Sequence, residues 1–173
     1  MQEHLITAIG QLGYDLTIVK FISIQRRQDM VKMATTTELH TAAELAACLW
    51  SVSNEDLLDE LKNATNNTGI AIFLKYLDGV AVGFAQCNLR HDYVEGTDSS
   101  PVVYLEGIFV KEEYRKRGYS RELLFACERW AKEQGCSEFA SDCELDNSES
   151  LSFHLKTGFT EANRIICFKK TLM

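Results

Sequence analysis

The sequence predicts a mixed α/β (α+β) domain in which helices cover both faces of a largely antiparallel central sheet. Three observations lead to this fold class. Two apolar, β-rich segments, residues 70–77 and 80–89, are separated by Asp78-Gly79, a pair that favours a tight antiparallel hairpin. A further strand-like segment, 102–110, precedes an amphipathic stretch with helical spacing at about 119–134. Segments with strand and helix patterns therefore alternate, as they do in sheets covered on both sides.

Helix-start signals predict two helices before the hairpin. Residues 30–34 have the composition of a first strand. Thr35, followed three residues later by Glu38, forms a capping-box pattern that opens a helix, and Ser53 with Asp56 repeats the pattern for a second helix. Both helices precede the main part of the sheet.

The C-terminal third continues the alternation. Gly135 ends the long amphipathic helix. The following segments predict a strand at 138–142, a helix at 148–157 and strand structure at 164–172. The predicted element order is β-α-α-β-β-β-α-β-α-β-β.

Length and charge limit the classes of function. A chain of 173 residues with 46% hydrophobic residues is long enough for one sizeable core and short for two. A net charge of -7 argues against a sequence-independent nucleic-acid binder, because such proteins need a basic face to neutralise phosphates. A cationic partner suits this charge better, although an acidic surface also serves solubility.

Cysteine usage and hydropathy bear on metals and location. The six cysteines contain no C-x-x-C pair, so neither a zinc site nor a compact disulfide framework is indicated, and reduced thiols are expected. They are Cys48, Cys87, Cys127, Cys136, Cys143 and Cys167. No segment approaches the length of a membrane helix, and no basic stretch with a continuous apolar run begins the chain. We therefore expect a cytoplasmic protein with no metal and no membrane partner.

A basic hexapeptide, Arg115-Lys116-Arg117-Gly118-Tyr119-Ser120, lies between the 102–110 strand and the amphipathic helix. A turn that enters a helix leaves backbone N–H groups unpaired, with the positive end of the helix dipole behind them, so it can hold a pyrophosphate. The small residues Gly118 and Ser120 keep side chains out of the way. The hexapeptide alone leaves one alternative open: its basic residues could simply begin a helix that faces solvent.

These residues resemble the Arg/Gln-x-x-Gly-x-Gly/Ala pattern of the GCN5-related N-acetyltransferase (GNAT) superfamily, with Ser120 as a departure from the last position. Asn147, followed eleven residues on by Gly158-Phe159, resembles the second cofactor motif of that superfamily. Residues 30–172 also match its element order. The resemblance implies a GNAT-type sheet and domain at 30–173, preceded by an extension of unknown role at 1–29.

The resemblance further implies that acetyl-CoA is the co-substrate. In the superfamily the strand before the loop separates from its neighbour and offers backbone N–H groups to the thioester. The implied cofactor-binding residues are Ile108, Phe109, Val110, Arg115, Lys116, Arg117, Gly118, Tyr119, Ser120 and Asn147. The same geometry favours direct attack of an amine in a ternary complex over a covalent cysteine intermediate.

Longer strings resemble one subgroup, the aminoglycoside 6'-N-acetyltransferases. They are Leu49-Trp50, residues 90–94, residues 98–103, residues 105–110 and residues 140–142. The resemblance implies a cationic aminoglycoside as substrate, a role in antibiotic resistance and a homodimer, which is frequent in the family. It also implies a substrate site formed by Trp50, Tyr93, Glu106 and Asp142.

Three residues are candidates for proton transfer. Acetyl transfer needs a neutral amine, so a carboxylate must accept the ammonium proton, directly or through water. Asp142, at a strand end, is the first candidate for this base and Glu106 the second. Either carboxylate could instead only bind the cation, and Glu106 could be paired with a structural arginine. His154 is the candidate acid for the departing thiolate, with a helix histidine packed below the cofactor as the alternative.

Two other functions remain open at this stage. One is acetylation of another amine, such as a polyamine or a peptide N-terminus, because the acidic segments 92–98 and 142–149 suit any cation. The other is a non-catalytic acyl-CoA-binding module. Turnover against a panel of amines separates the three possibilities.

Overall fold

The computed structural model describes residues 29–65 and 69–172, and predictions for residues 1–28 lie outside this part of the chain. The strands are β1 (Met30–Met33), β2 (Ile70–Leu77), β3 (Val80–Arg90), β4 (Val102–Val110) and β5 (Phe139–Ser141). The helices are α1 (Leu39–Trp50), α2 (Asn54–Thr65), α3 (Tyr119–Glu133) and α4 (Ser148–Thr157). Short 3₁₀ turns, Thr36–Glu38 and Glu112–Tyr114, precede α1 and follow β4.

The described strands form one sheet in the order β1-β2-β3-β4-β5. Pairing is antiparallel from β1 to β4, while β4 and β5 are parallel. The β2–β3 turn has Asp78 at φ 50° and Gly79 at φ 80°, the left-handed conformations that a tight hairpin turn of this type requires. The predicted fold class is confirmed.

Helices cover both faces of the sheet, as predicted. On one face α3 packs Leu123, Leu124 and Cys127 against residues of β2, β3 and β4, among them Phe73 and Leu105. On the opposite face α1 and α2 pack against a second set of strand side chains, Ile72, Leu74 and Phe84. Alternate residues of β2 therefore belong to different cores, as the two-residue period of a strand demands.

The predicted strand structure at 164–172 is wrong for a single copy of the chain. Residues 158–172 have no regular secondary structure, and residues 160–172 are exposed. The segment has the side chains of a strand, including Ile166 at 81% and Phe168 at 91% exposure. A strand forms only when its N–H and C=O groups find a neighbouring backbone, and within the described residues β5 pairs with β4 alone.

Glu38 joins the start of α1 to the sheet. Its Oε2 accepts from the backbone N–H of Thr35 at 3.1 Å and from the Thr35 hydroxyl at 2.8 Å, which confirms the predicted capping contact. Its Oε1 accepts from the Tyr76 hydroxyl on β2 at 2.7 Å and lies 2.7 Å from the Lys32 ammonium on β1. One carboxylate thus connects α1, β1 and β2.

These contacts favour the charged form of Glu38. Burial alone raises its pKa, but the hydrogen bonds from Lys32, Tyr76 and Thr35 outweigh burial and lower the pKa from 4.5 to about 2. The folded-state pKa is depressed, so the stabilisation is present above about pH 4.5 and is lost as the pH falls through about 2.

The predicted second start signal is also confirmed, because Asp56 N–H donates to the Ser53 hydroxyl at 3.2 Å.

Among the residues that the structure describes, no helix has both the length and the apolar character needed to cross a membrane.

We predict that Glu38→Gln lowers the free energy of unfolding by about 1–2 kcal/mol at pH 7, since charge-assisted hydrogen bonds are lost. The difference from the parent should shrink between pH 4.5 and 2, because the parent carboxylate is then protonated as well. Urea unfolding followed by circular dichroism measures both quantities. Glu60→Gln, an exposed change on α2, is the matched control, and a deficit that stays constant down to pH 2 would contradict the prediction.

Candidate active site

The β4 strand contains a bulge at Glu106. Gln86 of β3 pairs with Gly107 and the next residue, Cys87, pairs with Leu105, so Glu106 is the extra residue on β4. A bulge leaves one residue outside the regular ladder and redirects its side chain. This local irregularity sets where the Glu106 carboxylate lies.

The pairing of β4 with β5 ends beside this bulge. The last partners are Leu105 and Ser141, whereas β4 itself continues to Val110. Ile108, Phe109 and Val110 pair with β3 on one side, and no described strand pairs with their other side. Their backbone edge is therefore available to an extended ligand, which fits the pantetheine and thioester part of acetyl-CoA predicted from the sequence.

Trp50, at the end of α1, lies against the β4 backbone at Gly107. A Cβ atom added to Gly107 would be 2.7 Å from Trp50 Cζ2 and 2.6 Å from Leu49 Cδ2. The Trp50 ring also makes an edge contact with Phe84, with centroids 5.7 Å apart. The absence of a side chain at Gly107 thus lets the indole form a wall directly beside Glu106.

Glu106 is paired with Arg90 at the end of β3. Arg90 Nη2 donates to both carboxylate oxygens of Glu106, at 2.7 and 2.9 Å, and Arg90 Nε donates at 3.2 Å. The side chain of Glu106 is 22% exposed. This is the alternative foreseen for Glu106, a strand carboxylate held by an arginine.

Asp142 belongs to the same network through Tyr104. The Arg90 guanidinium lies 3.5 Å from the Tyr104 ring centroid. Burial raises the pKa of Tyr104 above its ordinary value, and a hydrogen bond from its hydroxyl to the Asp142 carboxylate raises it further. Tyr104 therefore stays protonated and acts as a donor that orients Asp142. Asp142 itself is exposed at the end of β5.

The loop after β5 adds further negative charge beside Asp142. Glu144, Asp146 and Glu149 follow within seven residues, and all are exposed. A group of exposed carboxylates attracts a polycation and lowers the local concentration of anions.

His154 of α4 lies at the point where β4 and β5 separate. Its Nδ1 is 2.7 Å from the Ser150 carbonyl oxygen, so Nδ1 must hold a proton and donate it. Its Nε2 is 3.0 Å from the Ser141 hydroxyl, which in turn lies 3.2 Å from the Leu105 carbonyl. Neutral His154 accepts from Ser141, whereas the imidazolium donates to Ser141 and turns that hydroxyl toward Leu105.

His154 is also packed, as the alternative foreseen for it required. Its ring contacts Phe159, with centroids 5.0 Å apart, and Phe153 at 5.7 Å. Packing holds the ring in place while Nε2 faces Ser141. The two interpretations of His154 are therefore compatible.

The basic loop reaches the N-terminus of α3 through left-handed turns. Lys116 has φ 61° and Gly118 has φ 89°, and Gly118 is the residue that caps the helix. Gly118 has no side chain to bond the first N–H groups of α3, and a Cβ built on it would have no atom within 4 Å. Successive N–H groups next to open space suit a diphosphate.

The basic side chains of the loop make different contacts. Arg115 Nε donates to the Val110 carbonyl at 3.0 Å, which ties the loop to the end of β4. Arg117 lies 5.7 Å from the Tyr114 ring centroid, and Lys116 is exposed. Tyr119 begins α3 and Ser120 follows it, both partly buried.

Asn147 and Tyr93 have local contacts. The Asn147 side-chain oxygen accepts from Ser150 N–H at 3.0 Å and so caps α4. Tyr93 is 79% exposed on the loop before β4, and its hydroxyl donates to Glu95 at 2.7 Å. Their roles toward a cofactor and a substrate stay predictions.

The structure brings Trp50, Glu106 and Asp142 to one side of the sheet. His154 lies where β4 and β5 separate after Leu105 and Ser141, which we call the β4–β5 fork. Sequence reasoning missed Arg90, Tyr104 and Ser141 as parts of the site. Arg90 lies within a string that resembles the subgroup, but its pairing across the bulge has no local signal. Within the described ranges, no three His, Cys, Asp or Glu side chains are grouped so that they could hold a metal ion.

Residues 35–159 match the model of the acetyltransferase (GNAT) family. The chain belongs to this family. As a GNAT enzyme it is an acetyl-CoA-dependent N-acetyltransferase, and the open edge of β4 followed by the glycine-capped helix fits that co-substrate.

Two curated relatives illustrate the similarity. The aminoglycoside N(6')-acetyltransferase type 1 of Serratia marcescens is 39% identical over 145 residues, which are 83% of this chain and 99% of the relative. The protein of the same name from Salmonella typhimurium is 48% identical over 101 residues, which are 58% of this chain and 70% of the relative.

Two solved structures are also similar to this chain. AAC(6')-Iy in complex with the bisubstrate analog CoA-S-monomethyl-acetylneamine has a TM-score of 0.80 at 38% identity, covering 83% of this chain and 99% of that chain. AAC(6')-IG from Acinetobacter haemolyticus has a TM-score of 0.79 at 35% identity, covering 83% of this chain and 99% of that chain.

We predict that Gly118→Val in this GNAT domain weakens CoA binding by at least tenfold, as calorimetry would measure, because the side chain blocks access to the first N–H groups of α3. Valine at φ 89° is also strained, which costs roughly 1–2 kcal/mol of stability. Gly135→Val is the matched control, since Gly135 has φ 79°, has no atom within 4 Å of an added Cβ and lies at the other end of α3. Equal CoA affinity in the two folded variants would refute the assignment.

Proposed function

We propose that this GNAT enzyme transfers an acetyl group from acetyl-CoA to the 6'-amino group of aminoglycoside antibiotics and thereby confers resistance. The observation that supports this most directly is the acidic, aromatic-walled site beside the open edge of β4. Trp50, Glu106 and Asp142 provide an apolar surface and two carboxylates next to the strand that would hold the thioester. The curated relatives at 39% and 48% identity are named as enzymes of this activity.

Asp142 is the proposed general base. An ammonium group has no lone pair, so a proton must leave the amine before the nitrogen attacks the thioester carbon. Asp142 is exposed and is oriented by the Tyr104 hydroxyl, and it accepts this proton directly or through one water. Glu106, which shares its charge with Arg90, anchors an ammonium or hydroxyl group of the sugar instead.

The remaining steps use the β4–β5 fork. Backbone N–H groups on the open edge of Ile108–Val110 stabilise the oxyanion that forms when the nitrogen–carbon bond is made. When the carbon–sulfur bond breaks, the electron pair stays on sulfur, the second proton leaves the new amide nitrogen to water, and the thiolate takes its proton from the His154–Ser141 pair. The amine attacks directly in a ternary complex, so no cysteine holds the acetyl group.

Thiol release from acetyl-CoA, measured against a panel of amines, tests the proposal. Aminoglycosides with a 6'-amine should be acetylated, whereas those with a 6'-hydroxyl, spermidine and peptides should not. Mass spectrometry of the product gives the position of the acetyl group. Turnover of spermidine or peptides alone would replace the aminoglycoside by another amine, and CoA binding without turnover of any amine would identify a binding module.

We predict that Asp142→Asn lowers kcat by about 10²–10⁴, because the acceptor for the ammonium proton is removed while the shape is kept. Partial recovery is expected at higher pH, where more of the amine is neutral. Glu106→Gln should act mainly on the KM for the aminoglycoside, since it removes a binding contact and leaves Arg90 without its partner. Steady-state kinetics between pH 6 and 9 separates the two effects.

The outcomes assign the roles. A normal kcat for Asp142→Asn together with an inactive Glu106→Gln would make Glu106 the base. Normal turnover by both variants would remove both residues from the chemistry. Glu44→Gln, an exposed change on α1, is the control for the loss of one negative charge.

The proposal includes a homodimer in the cytoplasm. The segment 160–172 exposes Ile165, Ile166, Phe168 and Leu172 in a single copy, and a second copy would cover such a surface. A cytoplasmic location agrees with the free thiols of the described cysteines and with the supply of acetyl-CoA.

We predict that the parent sediments as a dimer of the 19.6 kDa chain at micromolar concentration and that Phe168→Asp dissociates it, because a charge would be buried in the interface. Phe125→Asp, which places the same charge on an exposed phenylalanine of α3, should leave the dimer intact. A parent that sediments as a monomer, or a dimer insensitive to Phe168→Asp, would contradict this assembly.

A further inference from the structure

Lys75 is the one charged side chain that is buried among the described residues. It lies on β2 and is 1% exposed. Its ammonium donates to the Asp29 carboxylate, directly before β1, and to Glu122 Oε2 at 2.6 Å. The ammonium also lies 4.7 Å from the ring centroid of Tyr119. The proposed chemistry does not use Lys75, Asp29 or Glu122.

The partners of Lys75 stabilise the charged form of its ammonium group. An ammonium removed from water is costly unless it is paired and hydrogen-bonded. Burial lowers the pKa of Lys75, but the hydrogen bonds and charges of Asp29 and Glu122 outweigh burial, and the pKa is raised above 10.5. Its stabilising effect is therefore complete below pH 10.5 and is lost only as the pH rises through the raised value.

Two of the three partners of Lys75 belong to the first turn of α3. Tyr119 is the first residue of this helix and directly follows Gly118, and Glu122 is its acidic first-turn residue. The cross-strand partner of Lys75 is Gly83, where an added Cβ would be 3.0 Å from Leu123 Cδ1. The start of α3 therefore rests closely on this corner of the sheet and is tied there by Lys75.

The charge of Glu122 gives the pairing a second consequence. A carboxylate in the first turn of a helix is attracted to the positive end of the helix dipole, but it repels an anion bound at the same end. The Lys75 ammonium, 2.6 Å from Glu122 and also paired with Asp29, offsets much of that repulsion. The N–H groups after Gly118 then face an anionic ligand with less competing negative charge.

We propose that Lys75 is a positioning residue for the acetyl-CoA diphosphate: it ties the first turn of α3 to the sheet and neutralises Glu122 beside the basic loop. This inference rests on the acetyl-CoA dependence of the proposed function. This positioning role of Lys75 leads to an outcome that a purely structural role does not. Loss of Lys75 should weaken only those acetyl donors that contain a diphosphate.

Lys75→Met keeps the length of the side chain and removes its charge, and Lys132→Met, an exposed change near the other end of α3, is the matched control. Calorimetry should show that the Kd for CoA rises about tenfold in Lys75→Met and is unchanged in Lys132→Met. With S-acetylpantetheine, which lacks the diphosphate, kcat/KM should stay within about twofold of the parent value. Unchanged CoA affinity, or an equal loss with both donors, would overturn the proposal.

A double variant keeps the test decisive if Lys75→Met does not fold. Lys75→Met/Glu122→Gln contains no unpaired charge on α3, and replacing a buried ion pair by neutral groups is commonly tolerated. It lacks the tether, so CoA binding should still be several times weaker than in the parent, with S-acetylpantetheine unaffected. Parent-like CoA affinity in this variant would refute the role of Lys75. Failure of the proposed function would appear in the parent itself, whereas failure of this inference appears only in the variants.

Discussion

The parallel pairing of β4 with β5 stops at Leu105 and Ser141, and the geometry of the site follows from that stop. Beyond it, β4 runs on to Val110 with one backbone edge that no described strand pairs, which fits an extended thioester. At the stop, the bulge places Glu106 on one strand and the end of β5 places Asp142 on the other. At the same stop, the Ser141 hydroxyl lies within hydrogen-bond distance of the Leu105 carbonyl and of His154.

The carboxylates Glu106, Glu122 and Asp142 differ in the groups that hold them. Glu106 and Glu122 are each held by a cation, Arg90 and Lys75, so they organise neighbouring groups without a large net field. Asp142 is held by a neutral donor, Tyr104. The two carboxylates of the candidate site thus differ in their partners, a cation for Glu106 and a hydroxyl for Asp142.

Local signals in the sequence were sufficient for most of the fold. Thr35 with Glu38, and Asp78 with Gly79, act over a few residues, so their structures could be predicted from spacing alone. The segment 164–172 shows the limit of that reasoning. Its residues are of the β-branched and aromatic types that favour a strand, but a strand also needs a neighbouring backbone, and no described strand lies beside this segment.

Sequence motifs could supply the candidate residues of the site, but not the contacts between residues that are distant in the sequence. Asp142, Glu106 and the loop at Gly118 came from such motifs. The Arg90–Glu106 pair depends on the register across a bulge, which no spacing rule reveals. Lys75 was equally hidden, since a single lysine within an apolar strand gives no indication of the two carboxylates that reach it from β1 and α3.

The contact between Gly107 and Trp50 couples the sequence of β4 to that of α1. Any side chain at position 107 would come within 2.7 Å of the indole, so the strand residue and the helix residue cannot vary independently. An added Cβ would also be 2.6 Å from Leu49 Cδ2, so a substitution at position 107 requires both α1 side chains to move and couples the packing of α1 to the backbone of β4.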